Sequence, residues 1–145
     1  MILVADANVL VGELLRHRGQ DLIADGRLEI YASERAWHEA HYELRRRAEV
    51  RVRRGQVTES TAAALTERAW NIAVTSVTVI SEEAYQFLET MSRARIPSDL
   101  DDWHTVALAL LLNAAIWTND GDFLGCGCAT WVTETLLAEL AATNP

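Results

Sequence analysis

Lysine is absent from this chain of 145 residues, and all 13 basic side chains other than histidine are arginine. Chemistry that needs an ammonium group is thereby excluded, including the P-loop lysine and the lysine of a response-regulator receiver domain. Cysteine occurs only as Cys126 and Cys128, in the run GCGC. That spacing suits neither an ordinary disulfide nor a four-ligand zinc site, so the pair reads as small loop residues in a reducing compartment. Proline is confined to Pro97 and Pro145. No Pro/Gly-rich linker, repeat or low-complexity tract divides the chain, and one domain over residues 1–145 is expected. Long apolar runs are missing too: Val106 to Trp117 is the longest, about half of a membrane span, and Asn113 interrupts it. The first residues carry no basic segment and Asp6 breaks their apolar run. Neither a signal peptide nor membrane association is expected, and the implied location is cytoplasmic.

Half of the residues are apolar and 23% are charged, enough for a folded core without disulfides. ILVA at the start is a short continuous apolar run of the kind found in central parallel strands. Asn8 to His17 then places Val9, Val11, Leu14 and Leu15 at helical spacing, and LEIYA, after Gly26, reads as a second strand. Ser33 can cap a helix running through Trp37, Ala40, Leu44 and Ala48 to Gly55, and Thr58 can cap another carrying Ala62, Leu65, Ala69 and Ile72. The β-branched run VTSVTVI predicts a third strand, and Ser81 starts a helix that stops before Pro97. Ser98 with Asp101 resembles a capping box ahead of an apolar, buried helix. AAIWT predicts a fourth strand, NDGD a turn, and Thr133 the start of a last amphipathic helix. Strands alternating with helices imply a parallel sheet covered on both faces.

In such a sheet, sites form outside the carboxyl ends of the strands. Asp6 sits at one such end, and Asp120 and Asp122 follow the fourth strand at another. Asp102 and Glu39 lie in the first turns of helices that can return to the same rim. Four or five converging carboxylates with no lysine nearby repel one another unless a cation neutralises them. Magnesium and manganese favour such hard oxygen ligands, and metal sites of this type activate water for phosphodiester cleavage. Each acid also has a plainer reading. Asp120 and Asp122 flank a turn-forming glycine. Asp99, Asp101 and Asp102 suit a helix N-terminus, and Glu39 can pair with an arginine. Asp6 is harder to dismiss, because it ends a buried strand.

Taken together, VADAN, the spacing from Ser33 to Glu39, DDWHTVALAL and WTNDGDF resemble the PIN domain, in particular the stand-alone ribonucleases that act as VapC-type toxins. The resemblance spans nearly the whole chain in the family's order. It implies a three-layer α/β/α fold around a central parallel sheet of about four to five strands. It also implies an endoribonuclease dependent on Mg2+ or Mn2+, with Asp6, Glu39, Asp102 and Asp120 as its acids and Asp122 as an additional loop acid. Asn8 and Thr118 match polar positions that steady the site, and Asp99 matches an auxiliary acid. Asp101 competes with Asp102, and Glu43 with Glu39; the offsets favour Asp102 and Glu39. Gly121 stands where many relatives carry a basic residue. The implied partners are an RNA substrate and a cognate antitoxin that covers an apolar groove and the acids. Apolar faces on the helices from Thr58 and from Ser81 also suit a homodimer.

The formal charge of −8 argues against a surface that is basic throughout. Six arginines between Arg45 and Arg54 nevertheless form a local cluster. Arg46, Arg47 and Arg51 are candidates for RNA phosphates, which guanidinium groups match in fork geometry. The competing reading is a solvated helix end in which Arg47 pairs with Glu43 and Arg53 with Glu49. His38 and His41 lack a companion Cys/His set for zinc, and the five tryptophans read as core or interface anchors. Two other functions compete with this reading. A PIN-like module that no longer cleaves and binds RNA or protein remains the alternative. A haloacid-dehalogenase-type phosphatase needs an aspartate where Asn8 stands and a lysine that is absent.

Overall fold

The computed structural model describes residues 1–143. Strand β1 (Ile2–Ala5) is the apolar run ILVA, and its Leu3, Val4 and Ala5 are fully buried. Helices α1 (Ala7–Leu14) and α2 (His17–Ile23) follow, then β2 (Glu29–Ser33), α3 (Glu34–Arg53), α4 (Glu59–Ser76) and β3 (Val77–Ile80). Two 3-10 turns (Glu82–Ala84, Gln86–Leu88) lead into α5 (Glu89–Arg95), and a third (Leu100–Asp102) leads into α6 (Trp103–Leu112). β4 (Ala115–Trp117), a turn at Gly121–Phe123, β5 (Thr130–Trp131) and α7 (Thr133–Ala142) complete the chain. The five strands form one parallel sheet in the order β3-β2-β1-β4-β5, giving the expected three-layer α/β/α fold. Among the described residues, no helix is long and apolar enough to cross a membrane.

Alternation along β1 divides the core. Leu3 and Ala5 join the layer formed with α1, α2, α3 and α7, whereas Val4 joins the layer beneath α6. The strand order reverses direction between β1 and β4, which makes their carboxyl ends the topological switch point. Ala5 pairs with Trp117, so Asp6 and Thr118 leave the sheet side by side. The Asp6 amide donates to the Trp117 carbonyl at 3.0 Å, and the Thr118 amide to the Trp131 carbonyl at 3.0 Å. Ser33 caps α3 by accepting from the Ala36 amide at 3.1 Å, and Thr58 caps α4 by accepting from the Thr61 amide at 3.2 Å. α6 is apolar nearly all round and ends at Asn113, whose left-handed φ of 49° turns the chain into β4.

Several element boundaries differ from the sequence expectation. The run expected to form a strand from Val74 is helical to Ser76, and only Val77–Ile80 is extended. Burial of Ala73 on the packed face of α4 carries the helix through the β-branched pair, and the Thr75 hydroxyl bonds back to the Asn71 carbonyl at 3.0 Å. The expected single helix from Ser81 is broken at Tyr85, whose ring is fully buried. The expected capping box at Ser98 gives way to a simpler cap: the Asp99 side chain accepts from the Asp101 amide, two residues on, at 2.9 Å. The stretch from Asn8 to His17 ends as a helix at Leu14, because Arg16 is extended and α2 starts a new axis. β5, two residues long, lay below what periodicity can reveal.

Where α1 meets α2 and α7, a buried polar chain replaces apolar packing. Trp117 Nε1 donates to Thr133 Oγ1 at 3.2 Å, and that hydroxyl donates to Glu13 Oε1 at 3.0 Å. Glu13 is 1% exposed and its Oε2 has no partner among the described residues. Gly19 lets α2 close over this carboxylate: a Cβ there would collide with the Glu13 carbonyl oxygen and come within 2.6 Å of its Cα. Gly19→Ala is therefore expected to lose roughly 1–3 kcal/mol of stability through overpacking. Gly12→Ala, with nothing within 4 Å, should gain up to about 1 kcal/mol through helix propensity. Urea unfolding of the two variants checks the contrast, and equal midpoints would show that α2 moves off α1 without cost.

Candidate acidic site

At the switch point Asp6 is only 5% exposed. The Thr118 hydroxyl donates to Asp6 Oδ2 at 3.2 Å and accepts from the Asp120 amide at 3.0 Å. The Asp122 amide in turn donates to Asp120 Oδ1 at 2.9 Å. Thr118 is thus a pivot: it aims the carboxylate of one strand end and shapes the loop that presents the next acid. Burial pushes the Asp6 carboxyl up to about 6; Thr118 and the Ala7 and Asn8 amides pull it down, while Glu39 raises it further. Asp102 is pushed up to about 7, first by burial and then by the charges of Asp6, Asp99, Asp120 and Glu39. Five acids from β1, α3, the turn before α6 and the loop after β4 therefore share one field.

The structure separates the competing positions. Asp102 lies in that field, whereas Asp101 is exposed and its amide is bound by Asp99. Glu39 acts on both Asp6 and Asp102. Glu43 is occupied by Arg46, whose Nε lies 3.1 Å from both carboxylate oxygens, and by Arg47 at 3.9 Å. Asp122 is exposed and contributes its amide to the Asp120 turn; its carboxylate is not among the main influences on Asp6 or Asp102. Asn8 is exposed and meets Asp6 through its backbone. Arg53 pairs with Glu49 at 3.8 Å, and Arg51 lines an apolar hollow between α1, α2, α3 and α4. His41 stacks on Trp70, with ring centroids 4.3 Å apart. Cys126 and Cys128 are free thiols, and burial raises Cys128 to about 11, where it is inert.

One feature of the site had no signal in the spacing of motifs. Tyr85, held inward by the break in its helix, places its hydroxyl 3.2 Å from His104 Nδ1 and against Ser33, the cap of α3. His104 stacks on Trp103 at 3.9 Å, and Arg93 lies over the Trp103 ring at 5.3 Å. The start of α6, which carries Asp102, is thereby tied to the start of α3, which carries Glu39. Only a buried aromatic with a polar tip hints at such a tie in the sequence.

The donor set suits a hard divalent cation. It consists of carboxylates, and no basic side chain figures among the main influences on Asp6 and Asp102. Among the described residues, no three His, Cys, Asp or Glu side chains already close around one point. That spacing is compatible with Mg2+ or Mn2+ chemistry, in which one or two carboxylates bind directly and waters complete the shell.

A family model described as PIN domain matches residues 4–141. Similar solved structures include PAE2754 from Pyrobaculum aerophilum, at 20% identity and a TM-score of 0.65, covering 99% of this chain and 91% of that one. A toxin-antitoxin complex from Klebsiella pneumoniae matches at 17% identity and a TM-score of 0.58, covering 85% of this chain and 91% of that one. FitAcB from Neisseria gonorrhoeae matches at 19% identity and a TM-score of 0.57, covering 90% and 96%. At these identities the likeness is one of fold. A comparison with curated proteins finds no match.

The raised carboxyls fix the sign of a pH effect. An acid whose folded pKa exceeds its unfolded value costs nothing when both states are protonated and costs most when both are ionised. Without metal, the contribution of Asp6 and Asp102 to stability should fall as pH rises from about 4 to about 7, against the opposite contribution of His41 and His104, whose burial lowers their pKa. Asp6 alone accounts for on the order of 2–3 kcal/mol, and half-buried Asp102 for less than its shift suggests, through screening. Urea unfolding in chelator across that range should show the decline, and Asp6→Asn should flatten it. A difference between the wild-type and Asp6→Asn profiles that rises with pH would contradict the shared field.

Proposed function

The chain belongs to the PIN-domain family, and on that premise we propose that it is a metal-dependent endoribonuclease, the VapC-type toxin of a toxin-antitoxin pair. PIN domains are in general nucleases that use divalent metal ions. The observation that carries the reading to this chain is the acid field: a carboxylate buried at a strand end and raised to about 6, beside another raised to about 7, with acids as their charged neighbours. As a purely structural arrangement it destabilises the fold at neutral pH.

In this reading Asp6, Glu39, Asp102 and Asp120 hold Mg2+ or Mn2+, Asp122 and Asp99 flank them, and residues 1–145 act as one domain. A divalent cation bound there supplies an activated water and charge neutralisation at the leaving oxygen of an RNA phosphodiester. Thr118 keeps the Asp6 carboxylate turned to the crevice while its own oxygen fixes the Asp120 loop. The Ala7 and Asn8 amides favour the ionised form of Asp6, the form that ligation needs. Tyr85 and Ser33 hold the starts of α3 and α6 at a set separation. The apolar hollow lined by Leu14, Leu15, Leu44 and Leu65 is where an antitoxin segment fits, in keeping with a neighbouring fold seen in a toxin-antitoxin complex. A homodimer and a cytoplasmic location complete the proposal.

The purified chain should cut single-stranded RNA only with Mg2+ or Mn2+. Asp6→Asn and Asp102→Asn should each reduce cutting at least about a hundredfold, since loss of a direct ligand exceeds the 10–100-fold cost of outer partners. Mn2+ should also raise the wild-type melting temperature near pH 8 and leave Asp6→Asn unmoved. RNA cleavage that survives chelator or Asp6→Asn would overturn the proposal. Tight RNA binding without cleavage would favour the non-catalytic module instead.

A further inference from the structure

The arginines of α3 are not equivalent. Arg46 and Arg47 are engaged by Glu43, and Arg53 by Glu49. Among the described residues, neither Arg35 nor Arg45 lies within ion-pair reach of an acid, although the chain carries 21 acids. The two share a face. Arg35, His38, Tyr42 and Arg45 follow at steps of three, four and three residues, which aligns them in one stripe along the helix. All four are exposed, and Tyr42 is 66% exposed, an unusual state for a large aromatic ring.

The N-terminal half of the stripe runs beside the acids. Arg35 precedes Glu39 by four residues, one helical turn, and its charge reaches His104, two residues beyond Asp102. At its other end the stripe opens into a hollow of about 370 Å3 lined by His38, His41, Tyr42, Arg45, Arg46 and Glu49. Cation, ring and cation in sequence match a polyanion whose planar bases are free to stack. A duplex hides those faces, and an acidic peptide would satisfy the arginines while leaving the ring of Tyr42 unused. Ten residues of helix separate Arg35 from Arg45 by about 15 Å, the length of about four nucleotides at the stacked spacing of roughly 3.4 Å.

We propose that single-stranded RNA lies along this face of α3, with phosphates on Arg35 and Arg45 and a base stacked on Tyr42, so that the strand is led to the acids beside Glu39. The inference rests on the nuclease reading for its direction and adds the track by which substrate arrives. It assigns the contact to Arg35 and Arg45, whereas Arg46 and Arg47 are held by Glu43 and Arg51 faces a different hollow.

The test is binding of a fluorescent octauridylate to the full chain in chelator, followed by anisotropy over a salt series. Arg35→Ala and Arg45→Ala should each make the slope of log affinity against log salt shallower by about 0.7, the value for one phosphate contact on a single strand. Arg53→Ala should leave it unchanged. Tyr42→Ala should weaken binding roughly 5- to 100-fold, and Tyr42→Phe should restore it, because stacking needs the ring and not the hydroxyl. Unchanged slopes and an indifferent Tyr42→Ala would overturn the track. So would polyglutamate that competes with the octauridylate and loses affinity equally in the variants, which would mark a protein-binding face. The two readings fail separately. Cleavage that needs Asp6 with unchanged slopes refutes the track alone, whereas altered slopes without any cleavage refute the nuclease and leave the track.

Discussion

Removing the Asp6 carboxylate from water at the end of the central strand is unfavourable, and the surroundings only partly offset it. The Thr118 hydroxyl and two amides of α1 favour its charge, yet burial and Glu39 outweigh them and keep its pKa raised. Asp102 meets the same opposition from Asp6, Asp99, Asp120 and Glu39. A fold selected only for stability would replace one of these acids with an amide or pair it with an arginine, and this chain has 13 arginines from which to draw. Retained repulsion of this kind is the signature of a site that trades stability for a ligand. On the proposed reading, metal binding recovers what the field withholds, and the folded state and the loaded site become linked equilibria.

Such repulsion is tolerable only on a stiff frame. Trp117 and Thr118 are adjacent, and a strand turns adjacent side chains to opposite faces. Trp117 is tied through Thr133 to Glu13, locking β4 to α7 and α1. Thr118 reaches across to Asp6 and down into the Asp120 loop. One strand end therefore carries both the anchor and the pivot. On the far side of β1, Tyr85 links the cap of α3 to the first turn of α6. The acids are spaced by elements that are themselves cross-braced, so they cannot relieve their repulsion by drifting apart.

Much of this was legible in the sequence because it is local. ILVA followed by Asp6 announces a buried strand with an acid at its end, and Ser33 and Thr58 announce their helices through short-range capping bonds. The parallel sheet follows from the alternation of strands and helices. What was not legible depends on distant partners. The run VTSVTVI has strand propensity throughout, yet packing of Ala73 extends α4 into it. Tyr85 breaks its helix for contacts with Ser33 and His104, remote in the chain. Asp99 displaces Ser98 as a cap, its carboxylate accepting from the Asp101 amide two residues on. The proposed preference for Arg35 and Arg45 over Arg46 and Arg47 as RNA contacts could not be read from composition at all. It depends on which arginines already hold an acid.

The charge balance is compatible with the proposed track of so few cations. A net charge of −8 repels RNA at long range, but at physiological ionic strength that repulsion fades beyond about 8 Å. Within that distance the sign of the surface is set locally, and Arg35 and Tyr42 flank Glu39 along the helix. Guanidinium groups spaced by about 15 Å along a helix act nearly independently under such screening, each on its own phosphate. The acids repel the same strand unless they are neutralised. On the proposed reading, metal-free protein holds RNA on Arg35, Tyr42 and Arg45, and a loaded site lets the strand continue into the acids. On that reading electrostatics orders the last step: the cation precedes the scissile phosphate, because the carboxylates that would hold the metal are also the barrier to entry.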